Sequence, residues 1–199
     1  QSGNNQWFKT YNQSLFDNVW GTYEDQLRPT ICENNQNEYV LFYPYTEWSN
    51  GGWNFNSEIG VIKVNNLGVY IAGSSKRIDF NQNVTPSQVH YNSNGDYYNL
   101  SIKVSNGFDD FCFPGLLRIN SGLSVSIKTY IRIPSFINYG FYGECDGLSS
   151  IETPTGYYMR SIGTQNSTGP SSYTLKTDFY GQFEWCKINY KTPFNDQYN

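Results

Sequence analysis

Alanine and methionine are almost missing from this chain: Ala72 and Met159 are the only examples in 199 residues. Helical domains lean on Ala, Leu, Glu, Lys and Met, so a helical bundle or a doubly wound α/β protein is excluded. Charge is also scarce, at 15% of residues, with 13 Lys+Arg against 17 Asp+Glu and a net charge of −4. The densest basic point is Lys76-Arg77. Neutralising a nucleic-acid backbone needs a basic face, so no nucleic-acid partner is expected. No apolar run approaches the ~18 residues of a membrane span, and no membrane insertion is expected. The chain starts Gln1-Ser2-Gly3-Asn4-Asn5 with no charged-then-apolar leader, as a processed mature end would. Histidine occurs once, as His90, and no CxxC, HExxH, Walker A, G-x-S-x-G or S-x-x-K motif is present. Zinc spacing is therefore absent, and no metal or cofactor is expected.

What the chain does have is rings and amides. Aromatics make up 18% (18 Tyr, 13 Phe, 5 Trp), and mean hydropathy is −0.60 through Asn, Ser, Thr, Gln and Tyr rather than charge. Disordered chains are poor in aromatics, whereas Tyr, Phe, Trp, Val, Ile and Thr suit pleated surfaces. A single all-β domain over 1–199 is expected. Short runs bounded by Gly, Asn, Asp and Pro predict strands at 39–43, 59–64, 68–72, 88–91, 97–104, 116–119, 123–133, 139–142, 157–162, 173–177 and 182–188. In the run 123–133 the odd positions are Leu, Val, Ile, Thr, Ile and Ile, while the even ones are Ser, Ser, Lys, Tyr and Arg. That alternation is a half-buried antiparallel strand of a sandwich. Asn65-Asn66-Leu67-Gly68 and Asn92-Ser93-Asn94-Gly95-Asp96 read as tight turns, the second closing a hairpin through Asn94-Gly95.

Catalysis finds little material. A lone strand histidine such as His90 is ordinarily a surface or half-buried residue. Asp109-Asp110, or Glu144 with Asp146, are the acids from which a glycosidase pair would have to come. Neighbouring residues on a strand point to opposite faces, and loop acids are usually solvated. A calcium loop at Asn92, Asn94 and Asp96 fails because Lys103 stands where the bidentate acid belongs. Cys32, Cys112, Cys145 and Cys186 are dispersed and even in number, the pattern of two disulfides in an oxidising compartment, with free buried thiols as the alternative. The sequons at Asn12, Asn83, Asn99 and Asn166 carry no weight. With 24 Asn and 33 Ser plus Thr, about four arise by chance.

Sugar-binding chemistry fits better. A receptor for sugars needs planar donors and acceptors beside an aromatic platform. The loop 43–54, with Trp48 and Trp53, has that content, although packing of the loop onto a sandwich explains the same rings. Three segments then occur in a telling order: Asp17-Asn18-Val19-Trp20, Phe108-Asp109-Asp110-Phe111-Cys112 and Ser121-Gly122-Leu123-Ser124-Val125. Together with Leu67-Gly68-Val69-Tyr70-Ile71-Ala72-Gly73-Ser74, they resemble the N-terminal lectin domain of chaperone–usher fimbrial tip adhesins, the two-domain type that binds N-acetylglucosamine.

The resemblance implies an elongated immunoglobulin-like β-sandwich, disulfide-bonded, with a shallow pocket on its flank. It implies sugar contacts from Asp17 and Asn18, from the Phe111 ring at the family's tryptophan position, and from Asn120, Ser121 and Gly122. Ser74 and Ser75 stand where the family has an acid and a threonine. The implied disulfides are Cys32–Cys112 and Cys145–Cys186. The implied partners are host glycans ending in N-acetylglucosamine, galactose or fucose, together with fimbrial subunits and a following pilin domain absent from this chain. The implied location is extracellular, at a fimbrial tip reached through the periplasm, with adhesion and no reaction as the task. A viral surface-glycoprotein receptor-binding domain is the alternative, and a glycosidase the third reading.

Overall fold

The computed structural model describes residues 29–46, 57–80, 82–105, 112–131, 146–165 and 169–189. Among them there is no helix, only twelve strands: β1 (Thr30–Glu33), β2 (Tyr39–Thr46), β3 (Ser57–Val64), β4 (Lys76–Asp79), β5 (Asn83–Asn92), β6 (Tyr97–Ser105), β7 (Cys112–Asn120), β8 (Val125–Tyr130), β9 (Asp146–Thr153), β10 (Gly156–Gln165), β11 (Gly169–Thr177) and β12 (Phe183–Asn189). They form three antiparallel sheets of four, ordered β1-β2-β3-β4, β5-β6-β7-β8 and β12-β11-β10-β9. Each sheet is a meander in which neighbours in sequence are neighbours in space. The all-β sandwich expectation stands at that level. The Greek-key exchange of strands between sheets that marks an immunoglobulin domain is not among the described pairings.

The β5–β8 sheet has two unlike faces, and β6 shows why. Its even residues Tyr98, Leu100, Ile102 and Val104 are buried in one core with Val40 and Phe42 of β2, Ile59 and Val61 of β3 and Leu117 and Ile119 of β7. Removing such side chains from water contributes about 1.5–3 kcal/mol each. Its odd residues Asn99 and Ser101 are equally buried but meet polar partners on β9. Asn99 donates to Glu152 at 2.7 Å and the Ser101 hydroxyl donates to that of Ser150 at 2.6 Å. A smaller core of Ile131, Leu148, Met159, Tyr173 and Leu175 serves the third sheet. Gly156 opens β10 at φ 132°, where an added Cβ would run into the Thr177 carbonyl oxygen.

Most expected strands are present, and three were not expected: β1, β4 and β9. The 68–72 segment makes only one bridge, Val64 to Tyr70, because the Asn65 side chain folds it back as a turn. The run 139–142, Trp48 and Trp53 lie outside the described residues. The Asn92–Tyr97 connection is a turn, but its left-handed residue is Asp96 (φ 51°) rather than Asn94-Gly95. The Asn92 side chain accepts both the Asn94 and Gly95 N–H groups at 3.1 Å, so an Asx cap does the work that a left-handed glycine does in a two-residue loop.

No disulfide is found among the described residues, where Cys32 and Cys186 are free thiols. Cys32 packs on the first core near Tyr91 and Tyr98. Cys112 pairs with Ser105 at the other end of β6. Seven residue steps at about 3.3 Å each put those ends about 23 Å apart, far beyond the ~4.4–6.8 Å Cα separation a disulfide spans. Cys186 lies on β12, an edge strand of its sheet, and Cys145 lies outside the described residues. Burial pushes the Cys32 thiol up to about 12 and the Cys186 thiol up to about 11, away from the thiolate form.

Candidate functional site

Two turns bring the expected binding residues together. After β3, Asn65 accepts the N–H groups of Leu67 (3.0 Å) and Val69 (2.9 Å), and Gly68 takes φ 71°. The chain returns along β3, with Ile71 N–H donating to the Lys63 carbonyl at 3.0 Å. It reverses again at Ala72-Gly73, with Gly73 at φ 75°. The Ser74 hydroxyl closes this turn, donating to the Ile71 carbonyl at 2.6 Å and accepting Lys63 N–H at 3.2 Å. Between β7 and β8 a second turn runs through Asn120-Ser121-Gly122-Leu123. Asn120 Oδ1 accepts Ser124 N–H at 2.7 Å, and Leu123 is left-handed at φ 63°.

The Ala72–Ser74 and Ser121–Leu123 turns face each other across a shallow hollow of about 190 Å3, with Lys63 between them. Lys63 Nζ donates to the Ser121 carbonyl at 2.5 Å and stands 3.8 Å from Glu38. Asp96, from the β5–β6 turn, completes the rim. Its backbone carbonyl accepts Ser121 N–H at 3.0 Å, and its carboxylate accepts the hydroxyls of Ser121 and of Tyr91, the latter at 2.6 Å. These hydrogen bonds, Ser121 foremost, and the nearby Lys63 charge hold the Asp96 carboxyl below the usual carboxylate range.

Of the sequence-predicted residues, Ser74, Ser121 and Gly122 line this one hollow. Ser75 is exposed beside it, and Asn120 is exposed at its edge. The Asn120 and Ser74 side chains hold the turns themselves, so their structural task is plain. Asp17, Asn18 and Phe111 lie outside the described residues. Lys63 lines the hollow and was missed, as was Asp96, which backs it through Ser121 and is itself held by Tyr91. Asp96 read only as turn chemistry, and Lys63 reaches a carbonyl 58 positions away, which no local pattern reveals. The hollow offers one ammonium, one carboxylate, hydroxyls and the amides of two turns: groups that hold a ligand's hydroxyls. It has no imidazole or thiol and a single carboxylate. Among the described residues, no group of three His, Cys, Asp or Glu could hold a metal ion.

No family model and no curated protein matches the chain. Among solved structures, one of endo-1,4-β-xylanase from Bacteroides thetaiotaomicron VPI-5482 is similar at 10% identity and a TM-score of 0.47. The match covers 82% of this chain and spans only 58% of the xylanase chain. A likeness that slight carries no argument about activity.

Proposed function

We propose that the chain is a carbohydrate-binding, adhesin-type domain without catalytic activity, which takes one terminal sugar in the hollow between the Ala72–Ser74 and Ser121–Leu123 turns. The observation that carries this reading is Lys63. Its backbone N–H meets Ser74, its ammonium meets Ser121, and so two segments that the resemblance to fimbrial lectin domains singles out share one cleft. Its donors and the remaining lone pairs of Asp96 suit vicinal hydroxyls, and the Gly73 and Gly122 backbone allows close approach. The task is attachment to host glycans at a cell surface, at the tip of a fimbria. The reading requires a rigid sandwich carrying a rim of turns and does not depend on immunoglobulin-type strand exchange.

A shallow, wet site of this kind binds a monosaccharide with a Kd of about 0.1–1 mM, so firm attachment comes from many copies acting together. A glycan array is the direct test, with binding to glycans ending in galactose, fucose or N-acetylglucosamine expected. Gly122→Val fills the hollow, since a Cβ there meets only Asn120 Oδ1 at 3.4 Å. It should abolish that binding without lowering Tm. An array with no binder, or full retention of binding by Gly122→Val, overturns the reading.

A further inference from the structure

A cavity of about 400 Å3 lies on the other side of the β5–β6 turn, between that hairpin and β9. Its volume falls within the ~300–1,000 Å3 of small-molecule sites. His90 and Asn92 of β5, Asn99 of β6, and Ser150 and Glu152 of β9 line it. The polar side chains are locked before any ligand arrives. Glu152 Oε2 accepts from Asn92 at 2.9 Å and Asn99 at 2.7 Å, while Oε1 accepts the Tyr97 hydroxyl at 2.5 Å. Asn99 Oδ1 in turn accepts Arg118 Nε and the Tyr157 hydroxyl, each at 3.1 Å.

Two features of the layer behind the cavity bear on what it would take. Buried polar atoms are nearly always hydrogen-bonded, yet Arg118 Nη2 and Gln88 Oε1 are buried and hydrogen-bonded to nothing in the protein. One is a donor and the other an acceptor. Gln88 is on the same face of β5 as His90 and Arg118 sits beside Asn99 in the ladder, so both stand behind the lining rather than in it. The charge balance gives the second clue. Arg118 Nη2 stands 3.7 Å from Glu152 Oε1 and its guanidinium lies 4.3 Å from the Tyr97 ring centroid. The carboxylate is therefore already balanced, which favours a neutral ligand over an ion. One carboxylate without a second acid among the lining residues binds and does not hydrolyse.

We infer that this cavity is a second saccharide site, taking a neutral mono- or disaccharide, with Glu152 and Asn99 fixing its hydroxyls and the exposed His90 ring at its mouth. The inference shares its ligand class with the reading of the turn-flanked hollow but rests on separate residues. The hairpin Asn92–Tyr97 then divides two sites, Asn92 serving one and Asp96 the other.

Residue-resolved NMR of 15N-labelled protein separates the two. The probes are methyl β-galactoside, methyl α-fucoside, methyl N-acetyl-β-glucosaminide and lactose, each added to about 20 mM, well above the expected Kd. Saturable shifts of the Asn92, Ser93, Ile151 and Glu152 amides with at least one probe are expected. Glu152→Gln should weaken that binding about tenfold, and His90→Ala, at an exposed position, about threefold. Shifts confined to Gly73, Ser121 and Gly122 overturn the second site and leave the hollow intact. Shifts confined to the cavity support the second site and overturn the hollow. No shift with any probe overturns both.

Discussion

The two faces of β6 make opposite interfaces from one strand. The even face is apolar: Tyr98, Leu100, Ile102 and Val104 pack into the first hydrophobic core, and the Tyr98 hydroxyl at its edge accepts from Asn34 at 3.1 Å. The odd face is just as inaccessible at Asn99 and Ser101 but is a hydrogen-bonded network with β9. Apolar burial is undirected and scales with area, so the first interface supplies stability. Hydrogen bonds gain little net free energy yet are costly to leave unmade, so the second interface supplies geometry. The cavity lies on the second, where fixed polar groups are already held in place.

The largest effect that would break this contrast is expected from the apolar side. Ile102→Ala should cost about 2–5 kcal/mol in denaturant unfolding, and a loss below ~1 kcal/mol would show the core to be loosely packed. Next comes Glu152→Ala, which strands Asn92, Asn99 and the Tyr97 hydroxyl and should cost about 1–3 kcal/mol. Equal losses for the two variants would erase the distinction between the faces. The finest probe of the network is the serine pair. Ser101→Ala should cost ~1 kcal/mol, and adding Ser150→Ala should recover part of that by removing the other orphan. Simple additivity in this double-mutant cycle would mean that the pair does not interact.

The smallest effect concerns the turns. The Asp96 carboxyl is held low in the folded chain, so its contribution is present above the ordinary carboxylate value of about 3.9. It is lost as pH falls through the lowered folded value. Hydrogen exchange at the Ser121 amide should therefore be pH-independent in its protection from pH 8 to 5 and loosen only below about 4. Loosening near neutrality would point to a different titrating group.

Strand identity was legible wherever one face is apolar: Tyr39–Tyr43, Ile59–Val64 and Tyr97–Val104 all declare themselves by hydrophobic content. β9 did not, because Asp146-Gly147-Leu148-Ser149-Ser150-Ile151-Glu152-Thr153 carries its inward-facing polar groups at alternate positions and so reads as a loop. β1 and β4 escaped for another reason, being four-residue edge strands. The cleft residues Ser74, Ser121 and Gly122 were reached from sequence, whereas Lys63 and Glu152 act only through contacts made by folding. The cysteine count pointed to disulfides that the described residues do not show, since counting thiols says nothing of which end of a strand each occupies.

The three-meander topology also bears on how the chain reaches its native state. Among the described residues every strand pairing joins strands consecutive in sequence, so each sheet closes short loops at little entropic cost, and a chain appearing from its N-terminus completes one sheet before the next is available. The slow event is then the stacking of preformed sheets rather than the search for strand partners. The polar β6–β9 contact joins two sheets rather than neighbours within one, and it is expected to be the last made and the first to open.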